Sequence, residues 1–277
     1  MAEPTIEERV KANELTSMLH WWPRMKDTPG IPMPKTIIVE LDADEQKKMQ
    51  GFEGDMPVKI PASPIMWAIE AGKALGYPMF MRTDLTSCKH HWKDTCYVPS
   101  EDSLQHNISN LLMHNADCGM FGLPVRALVF REYIPMAYKF KAFYGDLPIP
   151  PERRYFVENG KVLCHHPYWP KAAIVGHFPL RKDDITGQPR RQIPHNWGQQ
   201  LEIMNNEGPM EVKLLTGYAE AISAKLEGRW SIDFCKSKSD AWYFIDAAIM
   251  EVSEHQLYGA EKCPYNPNKD IKLDDII

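Results

Sequence analysis

The 277-residue sequence contains no apolar run near the roughly 18 residues that a membrane-crossing helix needs. Its first stretch, MAEPTIEERVKANELT, is acidic and polar and has none of the apolar core of a signal peptide. Cysteine is sparse, and the six present (Cys88, Cys96, Cys118, Cys164, Cys235 and Cys263) follow no short secreted disulfide pattern. The expectation is a cytoplasmic protein with reduced thiols and no membrane partner. Positive charge is not in excess either. A net charge of −5 argues against binding nucleic acid through overall charge, although a local basic groove stays open. Several chemistries lack their motifs. There is no Gly-x₄-Gly-Lys-[Ser/Thr] loop, no Gly-x-Gly-x-x-Gly, no Gly-x-Ser-x-Gly, and no Lys-x-Asp-Gly of the covalent nucleotidyltransferases. No internal repeat or low-complexity segment is present.

The remainder reads as a globular protein of one or two domains, 44% hydrophobic and 25% charged. Proline is raised, at 23 residues, so elements should be short and joined by stiff loops. A helix is expected over residues 5–20, stopped by Trp21-Trp22-Pro23. A β-branched strand follows at Thr36–Leu41, then a short polar helix over 42–50. Residues 64–76 show helical apolar spacing and end on Gly76. Pro78–Arg82 is a buried strand that delivers a charge at its end. Residues 101–116 form a second amphipathic helix, and Val125–Tyr133 a strongly apolar strand. Residues 137–144 look like another strand. Asn159-Gly160 marks a type I′ hairpin turn after the strand 154–157. Residues 180–198 are charged and poor in apolar side chains, which suggests a mobile surface loop. A helix over 211–228 precedes a last hairpin, Trp230–Phe234 against Trp242–Ala248.

That hairpin carries the clearest chemistry. With a six-residue turn, Lys236–Ala241, Ser231 pairs with Asp246 and Asp233 with Phe244. Asp233 and Asp246 then project from one face as diagonal neighbours. Two carboxylates on an apolar face repel, and a divalent cation would offset that cost, Mg²⁺ in particular when substrate phosphates share it. The alternative is two unrelated aspartates at strand ends, and a one-residue change in the turn would separate them. A second cluster is Arg82-Thr83-Asp84-Leu85-Thr86-Ser87-Cys88-Lys89-His90-His91. Cations, hydroxyls and loop N–H groups there suit a polyphosphate. The rivals are a solvated loop or a zinc site of Cys88, His90, His91 and Cys96, whose spacing is not that of structural zinc. Arg153 and Arg154 point to opposite sides of their strand, so only one can face a cleft. His165-His166 and Tyr168-Trp169, after the hairpin, could also line a site.

Taken in order, these segments resemble the ATP-grasp superfamily over roughly residues 18–255. Gly76–Arg82 is similar to the family's Gly-Tyr-Pro strand, with Arg82 in place of a lysine. Thr86-Ser87-Cys88-Lys89 stands where the flexible phosphate-covering loop lies. Phe130–Ile134 resembles the adenine-binding hinge strand, Glu152–Val162 the Arg-bearing hairpin, and Ile232–Phe234 with Tyr243–Asp246 the two metal-carboxylate strands. Trp21-Trp22-Pro23 and Thr36-Ile37-Ile38 are also similar to the cell-division-cycle ATP-grasp chaperones and to small phage-type ATP-grasp ligases. Two departures stand out: Ala247-Ala248 follows Asp246 where an Asn is usual, and the covering loop is not glycine-rich.

The resemblance implies an α+β, ATP-grasp fold. It implies an N-terminal region over 1–62, one subdomain over 63–134, a second over 135–260 and a tail over 261–277, with the nucleotide gripped by the two subdomains. It further implies ATP and Mg²⁺ as cofactors, with Asp233, Asp246 and Glu251 as metal ligands. Arg82, Lys89, Glu132, Tyr133, Ile134, Arg154 and Phe244 would hold the nucleotide, and Arg154 and Lys89 would act in catalysis. The implied activity is an ATP-dependent carboxylate–amine (or thiol) ligase acting through an acyl phosphate on an amino acid, peptide or protein. The alternative is an ATP-binding assembly chaperone that grips a partner protein without ligation.

Overall fold

A computed structural model of the protein describes residues 11, 14–50, 62–120, 125–144, 146–175, 177–178, 180–182, 189–191 and 194–250. The fold is α+β, and the described chain packs as two compact units. The first comprises the described residues up to His20 and those within 34–134 and 144–147. The second comprises residues 21–33, 135–143 and the described residues from 148 onward.

Each unit is built on a four-stranded antiparallel sheet. In the first unit these are β1 (Thr36–Glu40), β2 (Met79–Thr83), β3 (Tyr97–Val98) and β4 (Ala127–Glu132), in the spatial order β1-β4-β2-β3. One sheet face is covered by the helices Ala62–Leu75 and Leu104–Met120. Met79, Met81, Leu128 and Phe130 from the strands pack there against Ala68, Ala71, Leu104, Ile108 and Leu111. Each large apolar side chain buried this way contributes about 1.5–3 kcal/mol. The two-residue period turns Phe80 and Arg82 to the opposite face. The helix Ala43–Gln50 is started by a reciprocal cap. Asp42 Oδ1 accepts from the N–H groups of Asp44 (2.9 Å) and Glu45 (2.8 Å), and Glu45 Oε2 accepts from that of Asp42 (3.0 Å). Gly76, at φ +81°, closes the Ala62–Leu75 helix as expected.

The second sheet comprises β5 (Glu152–Glu158), β6 (Lys161–Pro167), β7 (Arg229–Lys236) and β8 (Trp242–Ile249), in the order β8-β7-β5-β6. Asn159 and Gly160 both have positive φ, 48° and 81°, as a type I′ turn requires. The helix Pro209–Ser223 lies on one face, with Leu215, Ala219 and Ile222 buried. Arg153 faces this helix and bonds Glu211 Oε1 (2.8 Å). Tyr155 and Phe234 share that face, and Tyr218 packs on Phe234.

Several expectations need correction. Trp21-Trp22-Pro23 does not stop a helix: Pro23 lies inside the helix Met18–Met25. The break comes at Ser17, whose hydroxyl donates to Asp84 Oδ2 (2.6 Å) and accepts the N–H of Leu19 (3.2 Å). Full burial of Met18, Trp21 and Met25 outweighs the one backbone bond that Pro23 forfeits. The strand expected at 137–144 shrinks to Phe140–Ala142, and the helix expected to reach 228 ends at Ser223. Within 180–198, Leu180–Lys182 pairs with Pro189–Arg191, and a helix begins at Trp197. Cys88, Cys96 and Cys235 form no disulfide, but Cys164 is disulfide-bonded, so the thiols are not all reduced.

The last hairpin departs twice from a regular ladder. Lys236 pairs with Trp242, so five residues rather than six close the turn. That change alone would set Ile245 opposite Asp233. A bulge between Asp233 and Phe234 adds the missing residue, and Asp233 pairs directly with Asp246.

Candidate functional site

The free face of the second sheet carries a polar row that crosses all four strands. His166 on β6 pairs with Arg154 on β5, Arg154 with Asp233 on β7, and Asp233 with Asp246 on β8. Directly paired residues share a face, so the four side chains stand side by side. Arg154 donates from Nε to Asp233 Oδ1 (2.8 Å) and from Nη2 to Oδ2 (2.7 Å), a bidentate fork. The Tyr168 ring lies 4.5 Å from the same guanidinium. Burial would lower the Arg154 pKa, but the charge and hydrogen bonds of Asp233 outweigh it and raise the value. His166 Nδ1 donates to the carbonyl of Pro167 (2.7 Å), which places its proton on Nδ1. Burial lowers the His166 pKa, against the opposing effect of that carbonyl. Glu152 is buried one step along β5, its Oε2 accepting from the indole of Trp169 (2.8 Å).

The row suits Mg²⁺ in donor type. Two carboxylates stand opposite each other, and Asp246 is only half-buried. Mg²⁺ takes one or two carboxylates and leaves its other positions to water and phosphate. Among the described residues no group of three or more His, Cys, Asp or Glu side chains could hold a metal ion. Phosphate or water would therefore have to complete the shell, and the zinc set of Cys88, His90, His91 and Cys96 is not assembled. Glu251 lies outside the described residues. Phe244 does not join the row. It pairs with Phe234 on the other sheet face and is fully buried against Trp21.

In the first unit the other site residues are distributed differently. Arg82 is only 4% exposed, donating from Nε to the carbonyl of Thr83 (3.1 Å) and from Nη2 to that of Leu85 (3.2 Å). It shapes the loop that leaves β2. That loop is tied down rather than free: Thr86 Oγ1 donates to Asn115 Oδ1 (2.5 Å), and Thr86 N–H donates to Thr83 Oγ1 (3.0 Å). Cys88 takes a left-handed conformation, and Lys89 follows, half-buried in a single 3₁₀ turn. Burial pushes the Cys96 thiol up to about 12. Glu132 ends β4, with Tyr133 and Ile134 after it, all three half-buried. Tyr133 joins Trp92, Tyr97 and Phe80 in an aromatic cluster, the Tyr97–Tyr133 centroids lying 5.4 Å apart.

His166 and Tyr168, which the sequence marks only as residues that could line a site, stand beside Arg154, whereas sequence reasoning left out the aromatic group altogether. The alternation of Phe80 and Arg82 with Met79 and Met81 was the available signal for the aromatic face. For His166 the signal was its offset from the Asn159-Gly160 turn, which sets it opposite Arg154 once the β-bulge between Phe156 and Val157 is counted.

Among solved structures, C-terminally truncated Cdc123 from Schizosaccharomyces pombe is similar at a TM-score of 0.53, with 13% identity, over 87% of this chain and 85% of that one. A RimK domain ATP-grasp protein from Sphaerobacter thermophilus is similar at 0.41 and 10% identity, over 89% of this chain and 62% of that one. D-alanine–D-alanine ligase from Bacillus anthracis is similar at 0.42 and 13% identity, over 85% and 56%. At these identities the likeness concerns the fold alone. The sequence matches no protein-family model and no curated protein sequence. No helix among the described residues is long and apolar enough to cross a membrane.

Proposed function

We propose that the chain binds Mg-ATP and uses it as an ATP-dependent carboxylate–amine ligase acting through an acyl phosphate. The observation that supports this reading is the row Asp246, Asp233, Arg154 and His166 on one sheet face. It combines carboxylates for a cation with a guanidinium for phosphate, the pairing that polyphosphate chemistry requires. Bound Mg²⁺ would be held by Asp233 and Asp246 and would neutralise phosphate charge. Arg154 presents its donors to the migrating phosphoryl group. Lys89 offers a second cation, and Arg82 fixes the loop that carries it. Adenine is assigned to the main chain of Glu132, Tyr133 and Ile134. In the reaction, a substrate carboxylate oxygen bonds to the γ-phosphorus as ADP leaves. An amine then bonds to the acyl carbon, phosphate departs, and the amine gives up a proton. The residues act by positioning and charge compensation.

A second reading is an ATP-binding assembly factor that holds a partner protein without ligation. Its specific support is that Ala247 and Ala248 follow Asp246, so β8 offers no further polar ligand there. Calorimetric titration with Mg-ATP tests the shared part of both readings, and absence of binding would sink both. ADP release screened over amino acids and peptides separates them. Acceptor-dependent ADP supports ligation, and binding without turnover supports the assembly factor.

A further inference from the structure

A divalent cation in the row would have to share Asp233, and both oxygens of that carboxylate already accept from Arg154, at 2.8 and 2.7 Å. The pair is nearly closed to water, with side-chain exposures of 12% for Arg154 and 6% for Asp233. Arg154 is held by Asp233 across one strand pair and by the Tyr168 ring, with His166 its strand partner on the other side. Asp246 stands on the far side of Asp233. The row thus carries its own cation against two carboxylates.

We infer that Arg154 makes cation binding at Asp233 and Asp246 conditional on a polyphosphate. The inference rests on the nucleotide reading above and specifies how that site is controlled. A cation arriving alone must take a carboxylate oxygen beside a guanidinium, in a shielded place where like charges repel strongly. A nucleoside triphosphate removes that obstacle in two ways. Its oxygens complete the metal shell, and they give Arg154 an anion that offsets its charge or draws it away from Asp233. Metal and nucleotide then strengthen each other's binding by the same factor. The arrangement keeps the carboxylates compensated without a ligand and prevents free cations from occupying the row.

The test uses Mn²⁺, an octahedral oxygen-seeking probe, titrated into the full-length protein and followed by the electron paramagnetic resonance of the free ion. It is run with and without a non-hydrolysable ATP analogue. Wild-type protein should bind Mn²⁺ alone at least tenfold more weakly than with the analogue. Arg154→Gln and Arg154→Met should each bind Mn²⁺ alone at least tenfold more tightly than wild type. Arg154→Lys, which keeps the charge, should stay within threefold of wild type. Adding Asp246→Asn to Arg154→Gln should abolish the gain. The inference is overturned if the uncharged variants bind no more tightly than wild type, or if Arg154→Lys gains as much as they do. It is also overturned, with no variant at Arg154 needed, if wild type alone binds Mn²⁺ as tightly as it does with the analogue although calorimetry shows that the analogue binds. Failure of the nucleotide reading looks different: the analogue then changes nothing in any protein, whereas the metal-only gain of Arg154→Gln still reports on the pair.

Discussion

Asp233 and Asp246 are direct cross-strand partners, yet only Asp233 is buried and locked to a guanidinium. The two carboxylates therefore differ in what their loss should do. Asp233→Asn leaves the Arg154 charge buried without its counter-charge, which typically costs about 3–5 kcal/mol. Asp246 is half-buried, and its Oδ1 accepts the adjacent N–H of Ala247 (3.1 Å). Asp246→Asn, which leaves the Arg154–Asp233 fork in place, should cost clearly less stability than Asp233→Asn and weaken Mg-dependent nucleotide binding by tenfold or more. Urea unfolding read beside calorimetry checks both. Wild-type nucleotide affinity in Asp246→Asn would remove the metal assignment.

Arg82 and Lys89 should likewise separate into structure and chemistry. Arg82 is buried and serves the carbonyls of Thr83 and Leu85. Charged hydrogen bonds of this kind contribute about 1.5–3 kcal/mol, so Arg82→Ala should lower stability by that order and weaken nucleotide binding through the loosened loop. Lys89 is half-buried in a short turn, and Lys89→Ala should leave the unfolding midpoint nearly unchanged while slowing ADP release tenfold or more. An equal drop in unfolding midpoint for both variants would contradict this division.

Much of the frame was legible because it rests on local periodicity. The alternation in Met79–Thr83, the β-branched run at Thr36, the Asn159-Gly160 turn and the glycine after Leu75 each act through neighbours in sequence. What was not legible depended on partners far along the chain. Ser17 breaks the first helix because Asp84, 67 residues away, takes its hydroxyl. Arg82 reads as a strand-end cation, and only the fold shows that it turns back onto its own loop. The hairpin register failed at the turn length, since five and six polar residues look alike. The expected shared face of Asp233 and Asp246 survived because the bulge returned the missing residue.

Two helical glycines should respond oppositely to alanine. At Gly72 an added Cβ would lie 2.1 Å from the Tyr77 hydroxyl and 2.3 Å from its ring carbon Cζ, so the Tyr77 ring would have to move. Such overpacking costs about 1–3 kcal/mol and outweighs the helix preference for alanine. Gly217 lies in the Pro209–Ser223 helix with nothing within 4 Å of an added Cβ. Gly217→Ala should stabilise by about 1 kcal/mol. Thermal unfolding of the two variants gives the signs, and a stabilised Gly72→Ala would mean that Tyr77 does not pack where the structure sets it.

The last expectation concerns pH. His91 and His166 both have pKa values lowered from the ordinary 6.5. For His91 the main cause is burial, followed by the charge of His114, whose ring stacks at 3.9 Å. For His166 it is burial, with the Arg154 charge adding to it and the Pro167 carbonyl and the carboxylates of Asp233 and Glu207 opposing it. In the folded protein these rings stay neutral at pH values where the unfolded chain already takes up protons. The unfolded state therefore binds more protons as pH falls below about 6.5, and stability must drop from there down through the lowered folded values. Above 6.5 the two histidines contribute no slope. Unfolding midpoints of wild type, His91→Asn and His166→Gln at pH 7.5, 6.5, 5.5 and 4.5 isolate the effect from that of the carboxylates. Each variant should lose less stability than wild type between 6.5 and 4.5, with the larger flattening at the more buried His166. Parallel curves for all three proteins would mean that neither ring is held neutral by its surroundings.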